Sequence, residues 1–346
     1  MIIRPIQYLR AIAALMVVWF HSSGQVPGTS QFEIGASGVD LFFVISGFIM
    51  WVTTAGKDVA AGEFIQHRIV RVAPMYWLIT LLMLACAILE PGLFRSLKHS
   101  GTAVVKSLLF VPYDSLSFPG HAWPLLVPGW SLNYEMFFYA LFAASLLVPA
   151  RIRLATFLAV MGALVLAGFI TQPTDPILAT YTGPKLIEFA AGAAIGHFWI
   201  RGMFSVNWWL SIALIVMGFW LLLFMEGKLP DWSQMLGATL IVCGSLNPAL
   251  SDLRSRILLA LGDASYSIYL THLFTLGVLR AVWTRMMPPG PIAAVAFMAV
   301  ALTVCAGMGW ICYRFVEKPL TSWLRGMARK RGPIDTATLT APAAAV

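Results

Sequence analysis

The sequence predicts an all-α integral membrane protein, a bundle of about ten transmembrane helices with both termini in the cytoplasm. Three observations carry this. Of 346 residues 59% are hydrophobic and only 11% are charged, where a soluble domain has about 25% charged residues. The mean hydropathy is +0.81. The apolar residues fall in long runs, and at about 20 residues per crossing the chain has room for roughly ten crossings with short connections. Alternating barrel strands do not appear, and backbone polar groups in lipid must be satisfied within helices or a closed barrel. A soluble globule, a disordered chain, a collagen and a small disulfide scaffold are excluded.

Spans are expected near residues 6–25, 37–55, 74–90, 129–149, 154–172, 184–202, 206–226, 233–249, 257–279 and 290–313. The first carries Arg4 and Arg10 before an apolar core, as a signal peptide does. The following His21-Ser22-Ser23-Gly24-Gln25 lacks a small-x-small cleavage site, so this span is read as a retained helix. In the loop 91–128 the short apolar stretch Ala103 to Pro112 is read as a surface or re-entrant helix. With the N-terminus inside, sixteen of the 23 Lys and Arg residues lie in cytoplasmic segments and seven outside, the bias that orients membrane proteins. That bias also accounts for the net charge of +8, and no basic soluble face points to nucleic acid. Residues 1–325 are expected to form one membrane domain, and 326–346 a basic, disordered cytoplasmic tail. Cys86, Cys243, Cys305 and Cys312 sit singly in apolar runs, which suits packed thiols rather than disulfides or a metal site.

Ionisable side chains at membrane depth cost several kcal/mol, so each is a functional candidate. Arg10 and His21 share the first span. Eleven residues separate them by roughly 16 Å along the axis and about 20° in azimuth, which puts both on one face. Snorkelling explains Arg10 equally well, and an interfacial position His21. Asp40 begins the second span, where a helix dipole also stabilises a carboxylate. Glu135 lies two turns into the fourth, among aromatics that give packing no use for it. A histidine with one or two carboxylates at similar depth can be oriented to take a proton from a hydroxyl. His21, Glu135 and Asp40 are therefore the candidate catalytic set. At the inner face, Gln66-His67-Arg68-Ile69-Val70-Arg71 places two arginines on one helical face. Arginine's planar fork suits phosphate, although positive-inside anchoring needs the same residues. His272 falls in the outer half of the ninth span. Glu188 and His197 have no evident partner. His99 and His121 belong to the outer loop.

The chain has no phosphate-binding P-loop, dinucleotide fingerprint, nucleophile elbow or HExxH zinc motif, and no His is followed by Asp five residues on. Buried His, Asp and Glu also mark proton-coupled transporters and flippases, but the inverted repeats and paired broken helices common there are not evident.

Taken in order, these motifs resemble the membrane acyltransferase 3 family of bacterial O-acyltransferases, in its exopolysaccharide-production (ExoZ-like) branch. The likeness rests on Arg10-x10-His21, the block Gly38 to Gly47, Arg68-x-x-Arg71, Trp130-Ser131-Leu132 through Glu135, Ser265-Tyr266 through Tyr269 to His272, and Glu317-Lys318-Pro319. It covers about residues 4–320. The resemblance implies transfer of an acyl group, commonly acetyl, from cytoplasmic acyl-CoA to a hydroxyl of a surface glycan or its lipid-linked precursor, at the bacterial inner membrane. Arg10, Arg68, Arg71 and His67 would hold the donor. His21 would act as general base or transient acyl carrier, with Glu135 and Asp40 orienting it or binding sugar. Trp130, Asn133, Tyr134, Tyr269 and His272 would meet the acceptor. A thioester is already activated, so the resemblance implies neither metal nor ATP. The expected partners are the glycan acceptor, membrane lipid and other polysaccharide-biosynthesis proteins. Members carrying an appended hydrolase-like domain are longer than this chain.

Overall fold

A computed structural model of the protein describes residues 3–26, 35–89, 97–203, 206–225, 228–229 and 232–330. Among them every regular element is helical: α1 (Arg4–Ser22), α2 (Gly38–Thr54), α3 (Ala61–Leu89), α4 (Gly101–Leu108), α5 (Gly129–Leu146), α6 (Arg153–Thr171), α7 (Pro176–Tyr181), α8 (Leu186–Ile200), α9 (Trp208–Phe224), α10 (Trp232–Ser245), α11 (Pro248–Ser251), α12 (Arg256–Met286), α13 (Pro291–Cys312) and α14 (Lys318–Lys330), with a π-helical turn at Tyr313–Glu317. Each predicted apolar span coincides with a helix. Four helical stretches are long and apolar enough to cross a membrane by length and composition: Ala61–Leu89, Arg153–Thr171, Arg256–Met286 and Pro291–Met327. The stretch at 103–112 is helical only to Leu108, within the eight-residue α4 (Gly101–Leu108), about 12 Å long and too short to span. All four cysteines are free thiols.

Two boundaries differ from expectation. The third span was placed from Pro74, but α3 starts at Ala61 and runs through it. Pro74 gives up only one backbone bond and one donor, and the surrounding packing holds the helix across the gap. Arg68 and Arg71 thus stand on the same continuous helix as the apolar span. The C-terminal helix continues to Lys330, past the boundary drawn at 325, and residues 331–346 lie outside the described residues.

The interior is assembled by close backbone approach. A Cβ on Gly47 would run into the Phe189 carbonyl, and one on Gly192 into that of Val44, so α2 and α8 meet at glycine on both sides. Small residues at helix crossings are how membrane bundles gain packing when lipid removes the hydrophobic drive between helices. Gly262 of α12 likewise sits on the Gln7 carbonyl of α1. That contact sets α1 beside α12 and places Arg10 near Ser265 and His21 near His272. The largest core cluster joins α2, α3, α5 and α8 through Phe43, Tyr76, Phe138, Phe142 and Phe189.

Candidate active site

Between α1, α2, α3, α5 and α12 lies a cavity with about 840 Å³ of empty space, its mouth included. On α2 its wall runs from Val39 to Met50, about 16 Å at helical rise. One end carries three guanidinium groups, Arg10, Arg68 and Arg71, beside Tyr266 and Tyr139. The other is lined by Val39, Phe42, Ser131 and Tyr269.

The arginine end is built by long-range contacts. Arg71 Nη1 donates to Glu317 Oε1 at 2.5 Å, and Ser267 Oγ donates to the other carboxylate oxygen at 2.6 Å. Glu317 is fully buried and stands on the π turn, a feature often found at functional sites because it re-aims a side chain. Arg71 also lies over the Tyr266 ring, 5.9 Å from its centre, while the Tyr266 hydroxyl donates to the Val72 carbonyl at 2.7 Å. Arg10 Nη1 donates to Gln7 Oε1 at 3.1 Å. Two buried polar atoms of cavity-lining residues have no partner, Arg68 Nε and Ser265 Oγ. Both can donate to an anionic oxygen. His67, expected beside the arginines, is exposed and does not line the cavity, because one residue along a helix is about 100° around it.

Beyond that end, and not among the residues that line the cavity, stand two imidazoles. The rings of His21 and His272 are 4.9 Å apart, centre to centre, and the ring of Tyr269, which lines the cavity, is 6.0 Å from His272. His21 Nδ1 is 3.0 Å from the Val17 carbonyl oxygen, and His272 Nδ1 is 2.6 Å from that of Tyr269. A carbonyl only accepts, so in both rings Nδ1 carries the proton and Nε2 keeps its lone pair. His272 is fully buried and its Nε2 has no partner. His21 is half-buried.

The carboxylates do not gather around His21 as the sequence suggested. Glu135 accepts from Tyr139 at 2.5 Å and from Ser46 at 3.1 Å, on the cavity wall. It lies two turns into α5, whereas His21 occupies the last turn of α1, so the two are at different depths. Asp40 pairs with Lys185, which also binds Glu188 at 3.1 Å. Glu188, left without a partner in the sequence, thus belongs to a buried carboxylate–ammonium–carboxylate cluster tying the start of α2 to that of α8. Sequence reasoning missed Lys185 and gave Glu317 no role. Among the described contacts neither Glu135 nor Asp40 reaches an imidazole.

Of the remaining acceptor candidates Tyr269 lines the cavity, whereas Trp130, Asn133 and Tyr134 do not. Tyr269 shares a hydrogen bond with Ser131 Oγ (2.8 Å) and donates to the Pro128 carbonyl (2.9 Å). Trp130 meets Phe43 and Tyr134 edge-on at 6.2 and 6.1 Å, and Asn133 is buried with its side-chain oxygen unpaired. His197 packs against Trp51 at 5.3 Å. His121 stacks on Trp123 at 4.1 Å, and His99 is exposed.

Known proteins share this chain along nearly its whole length. The exopolysaccharide production protein ExoZ of Rhizobium meliloti (strain 1021) is 40% identical over 307 residues, 87% of this chain and 93% of its own length. Nodulation protein 10 of Rhizobium leguminosarum bv. viciae is 26% identical over 338 residues, 85% of this chain and 90% of its own. The O-acetyltransferase OatA of Staphylococcus aureus (strain NCTC 8325 / PS 47) is 25% identical over 350 residues, 90% of this chain and 56% of its own. No solved structure matches. With an acyltransferase 3 domain matched over residues 4–310, the chain belongs to that acyltransferase family.

Proposed function

We propose that the protein is an acyl-CoA-dependent O-acyltransferase of the bacterial inner membrane, moving an acetyl group to a hydroxyl of an exopolysaccharide or its lipid-linked precursor. The observation that carries this reading is the polarity of the site: three guanidinium groups at one end of the cavity and two basic imidazole nitrogens beyond the other. Arg68, Arg71 and Arg10 would take the phosphates of the donor through bidentate, charge-assisted bonds. Arg68 Nε and Ser265 Oγ, partnerless on the cavity wall, are free to join them. The pantetheine arm would follow the α2 face toward Tyr269, a course comparable with the roughly 16 Å between Arg10 and His21. His21 Nε2 is the basic atom there, taking either the hydroxyl proton or the acyl group itself. Glu135, bonded to Ser46 and Tyr139, shapes the wall along which the thioester lies. Asp40 is held by Lys185, so in this reading it fixes α8 against α2 near the acceptor side.

The test is transfer from labelled acetyl-CoA to exopolysaccharide by protein reconstituted in vesicles. His21→Ala is expected to abolish transfer with the fold retained, and near-normal turnover in that variant would refute the assignment. The pair Arg68→Ala and Arg71→Ala is expected chiefly to weaken CoA binding, so an unchanged dissociation constant would remove the donor site from these residues.

A further inference from the structure

His272 poses a problem that its neighbours do not solve. Its ring is fully buried, its Nδ1–H is given to the Tyr269 carbonyl, and its Nε2 lone pair has no donor. A buried acceptor left without a donor loses its hydration and gains nothing in return. The adjacent ring cannot supply the donor, because the only proton of neutral His21 is spent on the Val17 carbonyl. From α13 the Cys305 thiol approaches, but its Sγ contact, at 3.9 Å, is with the His272 carbonyl oxygen and not with the ring. Lower on α12, Ser267 and Tyr266 are committed to Glu317 and Val72. Two imidazoles 4.9 Å apart, centre to centre, thus present two lone pairs and no proton between them. What this pair lacks is an O–H.

Resting on the function proposed above, we propose that the two histidines divide the reaction: His21 is the nucleophile that carries the acyl group, and His272 is the base that takes the proton of the acceptor hydroxyl. In the first half-reaction the His21 Nε2 lone pair attacks the thioester carbonyl carbon. The C–S bond breaks and coenzyme A leaves as thiolate. The acyl-imidazolium keeps its Nδ1–H on Val17, which makes it a strong acyl donor. In the second, the hydroxyl proton passes to His272 Nε2 and the oxygen attacks the acyl carbon. The C–N bond breaks, restoring the lone pair of His21. The proton on His272 then returns to the medium, matching the thiolate released earlier, so an alcohol and a thioester become an ester and a thiol. One ring alone would have to attack the carbon and accept the proton in turn through a single nitrogen. Two rings, each with an unprotonated Nε2, remove that conflict.

The experiment uses the full chain in vesicles with radiolabelled acetyl-CoA, with and without exopolysaccharide. In His272→Gln, acetyl-CoA alone is expected to leave up to one acetyl group per chain, located on His21 by peptide mass, while transfer to glycan falls about 10²–10⁴-fold, the usual span for a lost general base. His21→Ala is expected to hold no label. A merely structural His272 would lose both half-reactions together, and that result overturns the proposal, as does transfer in His272→Gln within a few-fold of wild type. If His272→Gln does not fold, wild-type kinetics decide: parallel double-reciprocal lines for donor and acceptor support an acyl-enzyme, and intersecting lines overturn it. Failure of the wild-type protein to acetylate glycan from acetyl-CoA would instead reject the function proposed above.

Discussion

Glu317 brings a negative charge into a fully buried position, and such a charge persists only when paired and hydrogen-bonded. Its partners are Arg71 and Ser267, which makes the carboxylate a clamp on the guanidinium that faces the cavity. A charge-assisted bond is worth about 1.5–3 kcal/mol, so Glu317→Gln is expected to raise the KM for acetyl-CoA about 10–100-fold with kcat changed little, since the imidazoles lie beyond the far end of the cavity. Steady-state kinetics with varied donor check this, and a kcat loss at unchanged KM would contradict it. Lys185 calls for a different measurement. Removing it as Lys185→Met leaves Asp40 and Glu188 facing each other without a cation, which is expected to cost about 3–5 kcal/mol and to lower the melting temperature in detergent. Adding Asp40→Asn should recover part of that loss, and no recovery would mean the three groups do not act as one cluster. Neither arrangement was legible in the sequence. Arg71 and Glu317 are 246 positions apart, and a motif near a C-terminus does not announce which helix it reaches. Lys185 directly precedes an apolar span, where orientation explains a lysine without a partner. The Arg10–His21 face was legible, because both residues ride one helix whose period is fixed.

Helix positions followed the hydropathy closely, because a run of apolar residues in lipid has few alternatives to a helix. Pro74 misled the boundary of α3, since proline more often starts a helix than sits inside one. What hydropathy does not encode is which helices touch. That is written in the glycines, and at α2 and α8 it can be tested. A methyl group at Gly192 meets the Val44 carbonyl, a backbone atom that cannot rotate away, so Gly192→Ala is expected to force the helices apart at a cost of about 1–3 kcal/mol. The same displacement shifts Phe43 and Ser46 on the cavity wall, so activity should fall with stability. Gly162 in α6 has open space around its Cβ position, and Gly162→Ala is expected to be neutral or to stabilise by about 0.5–1 kcal/mol. Equal melting temperatures for the two variants would show that the α2–α8 contact is looser than described.

At the scale of the molecule the site has a direction. α1 and α12 run side by side from the arginines to the imidazoles, from Arg10 and Ser265 to His21 and His272, and the cavity runs the same way along α2. A polyanionic donor has a strong electrostatic reason to arrive at the end with Arg68 and Arg71, where α14 adds further positive charge. A neutral glycan would have none, and in the proposed reaction its hydroxyl is needed at the opposite end. The Lys and Arg bias predicts that the arginine end faces the cytoplasm, which makes sidedness testable. In a background with Cys86, Cys243, Cys305 and Cys312 replaced by serine or alanine, Lys57→Cys and Asp114→Cys put single thiols at exposed positions. Lys57 lies in the α2–α3 turn at the arginine end, and Asp114 in the segment between α4 and α5. A membrane-impermeant maleimide added to intact spheroplasts is expected to label Asp114→Cys and to spare Lys57→Cys until the membrane is broken. Labelling of both from outside would put the two ends on one side. The donor and acceptor would then have to share a single mouth, and a cavity graded from guanidinium to imidazole would have no reason to extend as far along α2 as it does.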